Sequence, residues 1–459
     1  MSNASEIVVE ILTELKVISS TPNIGGSDKT FPEFPSFISA GDDASLIING
    51  KISQLIRSLS DCLYSNKPEL LRSISSKDWS SNVQRSLGPI LATIELDHSF
   101  EVTSAEILST LESHLNNADW NFEPRTFLFG CSFINQHDIS PFVVGPVTIW
   151  GRNQWSDHAL KQGLIDRVTQ KRLKARWAGQ KVRRRTASAK SRNEEDILDS
   201  VTDAPFVCTV RTEGLFGDFA KEKALLAARI TLLGVGLLWN KPTTALSEMN
   251  LSYDGPAYRQ TYAFFQHQNR LSYGSRWMKS VHGMTLFGDA WEPLIAERAD
   301  WWKVLGEVID FFLRADGSVA RPKLINRFAH SLIWLHEACR EPLPMIAITK
   351  FMSSLDALAG GKKGPGIVDL VSARFGVAPE TPIRDGGPSF KLAIAELYSQ
   401  GRSRLLHGSS DRLGHDWESQ RALAESLARH CMILCFHWAA ENPNCDDPQR
   451  MASDVERTN

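Results

Sequence analysis

No stretch of this chain is apolar for long enough to cross a bilayer, which takes about 20 residues. The most apolar run, Leu225 to Leu238, is shorter and carries Arg229. No leader pattern opens the sequence, and its 7 cysteines are scattered, so neither secretion nor a disulfide framework is implied. The expected setting is cytoplasmic, with reduced thiols. A surplus of one charge is missing too: 51 lysines and arginines face 53 aspartates and glutamates, a net of −2 that selects no partner by its field. There is no Gly-x-Ser-x-Gly elbow. His336-Glu337 lacks the second histidine of a zincin. The loop Gly360 to Gly366 holds glycines and two lysines, but Gly364 and Pro365 follow Lys363 where a phosphate loop needs Ser or Thr. No internal repeat stands out.

What is present is a globular composition, 42% hydrophobic and 23% charged. A length of 459 residues suits about two to four domains. Apolar spacing predicts a helix over Ser5–Val17 and helical patterns from Ala44 to about Leu115, including Leu46 and Ile47, Leu70–Ile74 and Val83–Ile94. Thr21–Pro35 reads as a loop. Near Asn121 the texture turns aromatic and β-branched. Thr126–Phe133, Phe142–Trp150, Phe206–Val210 and Leu251–Tyr253 are strand candidates, with a strong helix over Ala220–Trp239. Helices then dominate: Asp300–Leu313, Ile325–Ala338, Ile346–Ala359, Ile367–Phe375, Ser389–Leu406 and Asp416–Glu441. The expected fold is α+β and mostly helical. It has a helical region over 1–118, a small α/β region over 119–299, a helical bundle over 300–445 and a polar tail over 446–459.

Arg167 to Arg192 holds 11 lysines and arginines and no acid. The run is densest at Arg183, Arg184 and Arg185, and Trp177 interrupts it. Such charges neutralise phosphates and an indole stacks on a base, so these four residues are candidate RNA contacts. The plainer reading is a solvated surface offset by Glu194, Glu195 and Asp196. Thr186 to Ser200 has the composition of a loop. Cys431 and Cys435 share a helix face and could reach one ion. No second pair stands nearby, and their helix is almost wholly apolar, so buried free thiols account for them better.

The sharpest chemical signal is the pair Arg402 and His407, with Ser403, Arg404, Leu405 and Leu406 between them and Gly408 after. Glycine enters the left-handed conformation freely, so the helix should stop there. An imidazole can take a proton from a ribose 2′-hydroxyl or return one to a leaving 5′-oxygen. A guanidinium holds a phosphate through parallel donors. On an ideal helix, five residues rotate by roughly 140°, so one chain does not aim both groups at one point.

The run Arg402, Ser403, Arg404, Leu405, Leu406, His407, Gly408 resembles the Arg-x4-6-His motif of the HEPN superfamily, nearest its Apea-like branch. Phe351 to Leu358 resembles the family's earlier helix, with Asp356 where Glu is more usual. Val368 to Phe375 resembles the helix between. The resemblance covers about Lys323 to Ala440. It implies a metal-independent endoribonuclease without cofactor, cleaving RNA through a 2′,3′-cyclic phosphate. Arg402, His407, Ser403 and Asp356 would be catalytic, and Arg404 would contact RNA. It also implies a homodimer or higher homo-oligomer paired through the motif helix, and a toxin or anti-phage role of the abortive-infection kind. The N-terminal two-thirds would then sense a trigger or restrain the nuclease. Two alternatives stay open. HEPN-like bundles also serve as nucleotide- or RNA-binding and dimerisation modules. A metal hydrolase built on Cys431, Cys435 and nearby histidines would require bound zinc.

Overall fold

The computed structural model describes residues 4–20, 36–41, 44–96, 99–117, 120, 122–255, 258–280, 283–286, 289–314 and 318–453. The expected loop Thr21–Pro35 lies outside them. The chain folds into two compact units, each discontinuous in sequence. The fold is α+β and mostly helical, as expected. Among the described residues no helix is long and apolar enough to cross a membrane.

The first unit takes the described residues up to Pro124, with Glu213–Glu222 and Arg314. Helix α1 (Ala4–Ser19) buries Ile7, Val8, Ile11, Leu12 and Leu15, the face its period predicts. Strands β1 (Ser36–Gly41) and β2 (Ala44–Ile48) form an antiparallel pair. The helix expected at Leu46 and Ile47 is absent, and both residues lie in β2 instead. The physical reason is Asn49, whose side chain accepts from the Ile52 N–H at 2.9 Å and so starts α2 (Gly50–Ser65) only after itself. Leu70–Ile74 forms turns rather than helix. Helix α3 (Ser76–Ala92) carries Gly88 under β1, where a Cβ would lie 1.9 Å from the Ser39 carbonyl oxygen. Helix α4 (Phe100–Asn117) completes the set. Trp79 is buried, donates to the Ser60 carbonyl at 3.1 Å, and stacks on Trp120 with centroids 5.7 Å apart. Phe216 meets Trp120 edge-on at 5.3 Å.

The second unit comprises Arg125–Thr212, Lys223–Leu313 and the described residues from Ser318. Three strand candidates hold, Phe142–Trp150 as two strands, while of Leu251–Tyr253 only Leu251 is strand, because the chain turns into a 3-10 helix at Ser252–Asp254. Strands β3 (Arg125–Ser132), β4 (Phe142–Val144), β5 (Val147–Gly151), β6 (Phe206–Thr212) and β7 (Asn250–Leu251) form one sheet in the order β4-β5-β6-β3-β7. Every pairing is antiparallel, with Phe129 opposite Cys208 and Cys131 opposite Phe206. Helices α5 (Arg152–Lys161), α6 (Arg167–Trp177) and α7 (Ala189–Val201) lie between β5 and β6 in the chain. Thr186 to Ser200 is therefore mostly helix rather than loop. Ser188 caps it, its hydroxyl accepting from the Ser191 N–H at 3.2 Å.

Helix α8 (Gly217–Gly236) starts in the first unit and becomes buried core in the second, followed by α9 (Pro242–Glu248). Strands β8 (Tyr258–His267) and β9 (Arg270–Ser280) form a hairpin. Then come α10 (Trp291–Glu297), α11 (Ala299–Leu313), α12 (Pro322–Arg340), α13 (Pro344–Leu358), α14 (Lys363–Phe375), α15 (Phe390–Glu396), a π-helical turn (Leu397–Ser403), α16 (Arg404–Leu406) and α17 (Glu418–Glu441). Phe328 of α12 and Phe436 of α17 stack at 5.0 Å in the bundle core. Cys431 and Cys435 are fully buried there. Helix α17 also caps the middle region: Arg429 donates to the Leu237 carbonyl at 3.0 Å, and Glu425 accepts from the Thr243 N–H at 2.7 Å. The expected polar tail differs from expectation up to Ser453, because α18 (Pro448–Ser453) buries Met451.

Candidate active site

Helix α13 starts on Pro344, whose missing N–H costs nothing in a first turn. It ends where Gly360 and Gly361 adopt φ of +76° and +75°. Its inward face brings Thr349, Ser353 and Asp356 into the bundle. Asp356 serves two elements at once. One carboxylate oxygen accepts from the Lys363 N–H at 2.8 Å and so caps α14. The other pairs with Arg402 at 3.2 Å.

Arg402 sits in the π-helical turn. Its Nε donates to the Ser353 hydroxyl at 3.1 Å, and a terminal nitrogen donates to the Tyr398 hydroxyl. The guanidinium lies 4.9 Å from the Tyr398 ring centroid. Burial holds the Tyr398 phenol above its usual pKa, and Asp356 adds to the effect. The widened turn fits because Gly401 backs onto α13. A Cβ there would lie 2.5 Å from Ile348 Cγ2, and Thr349 donates to the Gly401 carbonyl at 2.7 Å.

His407 is exposed, one residue past α16. The helix stops as predicted. Gly408 takes φ of +66°, its N–H bonds the Leu405 carbonyl at 3.1 Å, and the Ser409 N–H bonds the Arg404 carbonyl at 2.9 Å. That pair of bonds is a Schellman cap. Ser403 is half-buried and meets His407 through its carbonyl, 3.1 Å from the His407 N–H. Arg404 is exposed. Of the four residues expected to act together, Asp356 and Arg402 meet, Ser403 adjoins them, and His407 faces solvent. Ser353 and Tyr398 complete the cluster without having been anticipated. Tyr398 lies four residues before Arg402, which puts it one helical turn away, and that spacing is a readable signal.

The basic segment forms a cleft of about 830 Å³ between α6 and α7. Much of its charge is matched internally. Arg172 holds Glu194 through Nε at 2.8 Å to each oxygen, and Arg176 holds Glu195 at 2.6 Å. Arg185 reaches Thr169 at 2.9 Å, Asp166 at 3.4 Å and Glu194 at 3.5 Å. Trp177 packs with Trp155, Leu173 and Val207, and Arg152 lies over its ring at 5.8 Å. Arg183 and Arg184 are exposed, and Arg184 lines the cleft. Among the described residues no cluster of three or more His, Cys, Asp or Glu could hold a metal ion. No protein family matches the chain, nor does any curated protein or solved structure.

Proposed function

We propose that the chain is a metal-independent endoribonuclease of HEPN type acting as a homodimer, with Arg402 and His407 of each copy lining a shared cleft. One observation carries the reading. Asp356 and Arg402, the acidic and basic positions of the two motif segments, lie far apart in sequence yet pair at 3.2 Å beside the end of the helix that presents His407. In the reaction one imidazole takes the proton of the 2′-hydroxyl. The freed oxygen attacks phosphorus, the bond to the 5′-oxygen breaks, and a second imidazole protonates that oxygen. One copy presents a single exposed His407, so two roles need two copies. Leu392 and Leu406, 64% and 62% exposed on the motif helix, offer the apolar surface for a self-complementary interface. Arg183 and Arg184 would contact the RNA backbone. A toxin or anti-phage role, with the N-terminal part as sensor or regulator, accompanies this reading through the family resemblance alone.

A non-catalytic RNA-binding and dimerisation module is the second reading. It is favoured by the commitment of the Arg402 guanidinium to Asp356, Ser353 and Tyr398. Purified protein incubated with labelled RNA in EDTA separates the two. Cleavage that falls about 10²-fold or more in His407→Ala supports the nuclease. Mixed dimers of wild type and His407→Ala should lose activity per wild-type chain. No cleavage of any RNA, with binding intact, would leave the binding module.

A further inference from the structure

Between Asp254 and Asp289 the chain carries no acidic residue. The β8–β9 hairpin lies in that span, and its strands pair only with each other among the described residues. At about 3.3 Å per residue the arm is about 33 Å long. Gln268 and Asn269, at φ of 44° and 57°, close it in a two-residue turn. It holds Arg259, Arg270, Arg276 and Lys279, and three of the chain's 6 tyrosines (Tyr258, Tyr262 and Tyr273).

Near the tip every side chain from Phe265 to Ser272 is exposed. The register puts Phe265, His267, Arg270 and Ser272 on one face, and Gln266 and Leu271 on the other. Gly274 is the extra residue where the pairing steps from Phe264↔Tyr273 to Ala263↔Ser275. A Cβ at this glycine would lie 3.0 Å from Phe265 Cδ1 and 3.4 Å from Cε1. The main chain at Gly274 therefore backs the Phe265 ring on one side, while the residue stays 52% exposed.

Positive charge on an open strand edge also deters pairing with other strands. That protection does not require an exposed ring held against a glycine. Unpaired RNA presents what the arm complements: a row of phosphates, and bases whose faces are free to stack. We propose that the β8–β9 arm binds single-stranded RNA, with a base stacked on Phe265 and Arg270 on a neighbouring phosphate. The proposal rests on the RNA reading of the chain and not on its chemistry.

The test uses the full chain and a labelled, mixed-sequence 2′-O-methyl oligonucleotide, which cannot be cleaved through its 2′ position. Phe265→Ala should weaken binding about tenfold, and Phe265→Trp should retain it. Arg270→Ala should lower the slope of log K against log salt by about 0.7. All three substitutions are at exposed positions, and unchanged melting curves verify the fold. Affinity and slope equal to wild type in both alanine variants would overturn the arm, even if wild type cleaves natural RNA. Failure of wild type to bind the oligonucleotide, with Phe265-dependent binding to phosphatidylserine vesicles, would overturn it in favour of a membrane surface. Phe265-dependent binding without any cleavage would support the arm while removing the nuclease reading.

Discussion

Arg402 and His407 form one pair in the sequence motif, yet the fold treats them differently. Arg402 is held by three partners around a nearly buried carboxylate, whereas His407 stands in solvent. Arg402→Ala would strip Asp356 of its cation and should lower unfolding free energy by about 2–4 kcal/mol in a denaturant titration. Arg402→Lys keeps charge but not the forked geometry and should fall between. His407→Ala should stay within about 0.5 kcal/mol of wild type. The histidine is therefore the cleaner probe of chemistry, because a loss of activity in Arg402→Ala mixes a chemical role with a structural one. Equal stabilities for both alanine variants would contradict this division. The two residues themselves are readable in the sequence. Of the partners of Arg402, Tyr398 is readable from its spacing of one helical turn, whereas Ser353 is not, because it lies on another helix, 49 positions upstream, and the motif says nothing of what its residues rest on.

Helix α13 opens at Pro344, two residues before the expected Ile346, whereas the stop that Gly408 sets on α16 acts through its own backbone and is legible. The π-helical turn is not, since it depends on tertiary fit at Ile348 and Thr349, residues about fifty positions upstream. Gly401→Ala should cost about 1–3 kcal/mol through the clash with Ile348. Thr349→Val, which removes the donor to the Gly401 carbonyl, should cost about 1–2 kcal/mol. Ile348→Ala opens space, so its combination with Gly401→Ala should cost less than the sum of the two. A purely additive double variant would show that the turn owes nothing to this contact. Strand β2 escapes the sequence reading because Leu46 and Ile47 suit either period until Asn49 is seen capping the next helix. The β8–β9 hairpin escapes it because its strands lack regular alternation, with Arg259, Gln260 and Thr261 in a row and Phe264 beside Phe265, and its turn is Gln-Asn rather than Asn-Gly.

At the scale of the molecule, the predicted succession of helical, mixed and helical regions describes composition along the chain better than it describes packing. The sheet and the C-terminal bundle share one unit, where Arg340 of α12 donates to the Asn250 side chain of β7 at 2.8 Å and α17 holds the chain around α9 through Arg429 and Glu425. The first unit is completed by two later segments, including Phe216, whose ring packs on Trp120. A protein begun at Arg125 would carry Phe216 without that cover. It should express in aggregated form or melt well below the full chain in calorimetry, whereas an equal melting point would show that the later segments need no partner. The same interleaving bears on ancestry. A single genetic crossover cannot carry the first unit intact into another gene, because part of it is encoded beyond the sheet it would leave behind. The two units are therefore expected to be inherited together, with related proteins keeping both or neither.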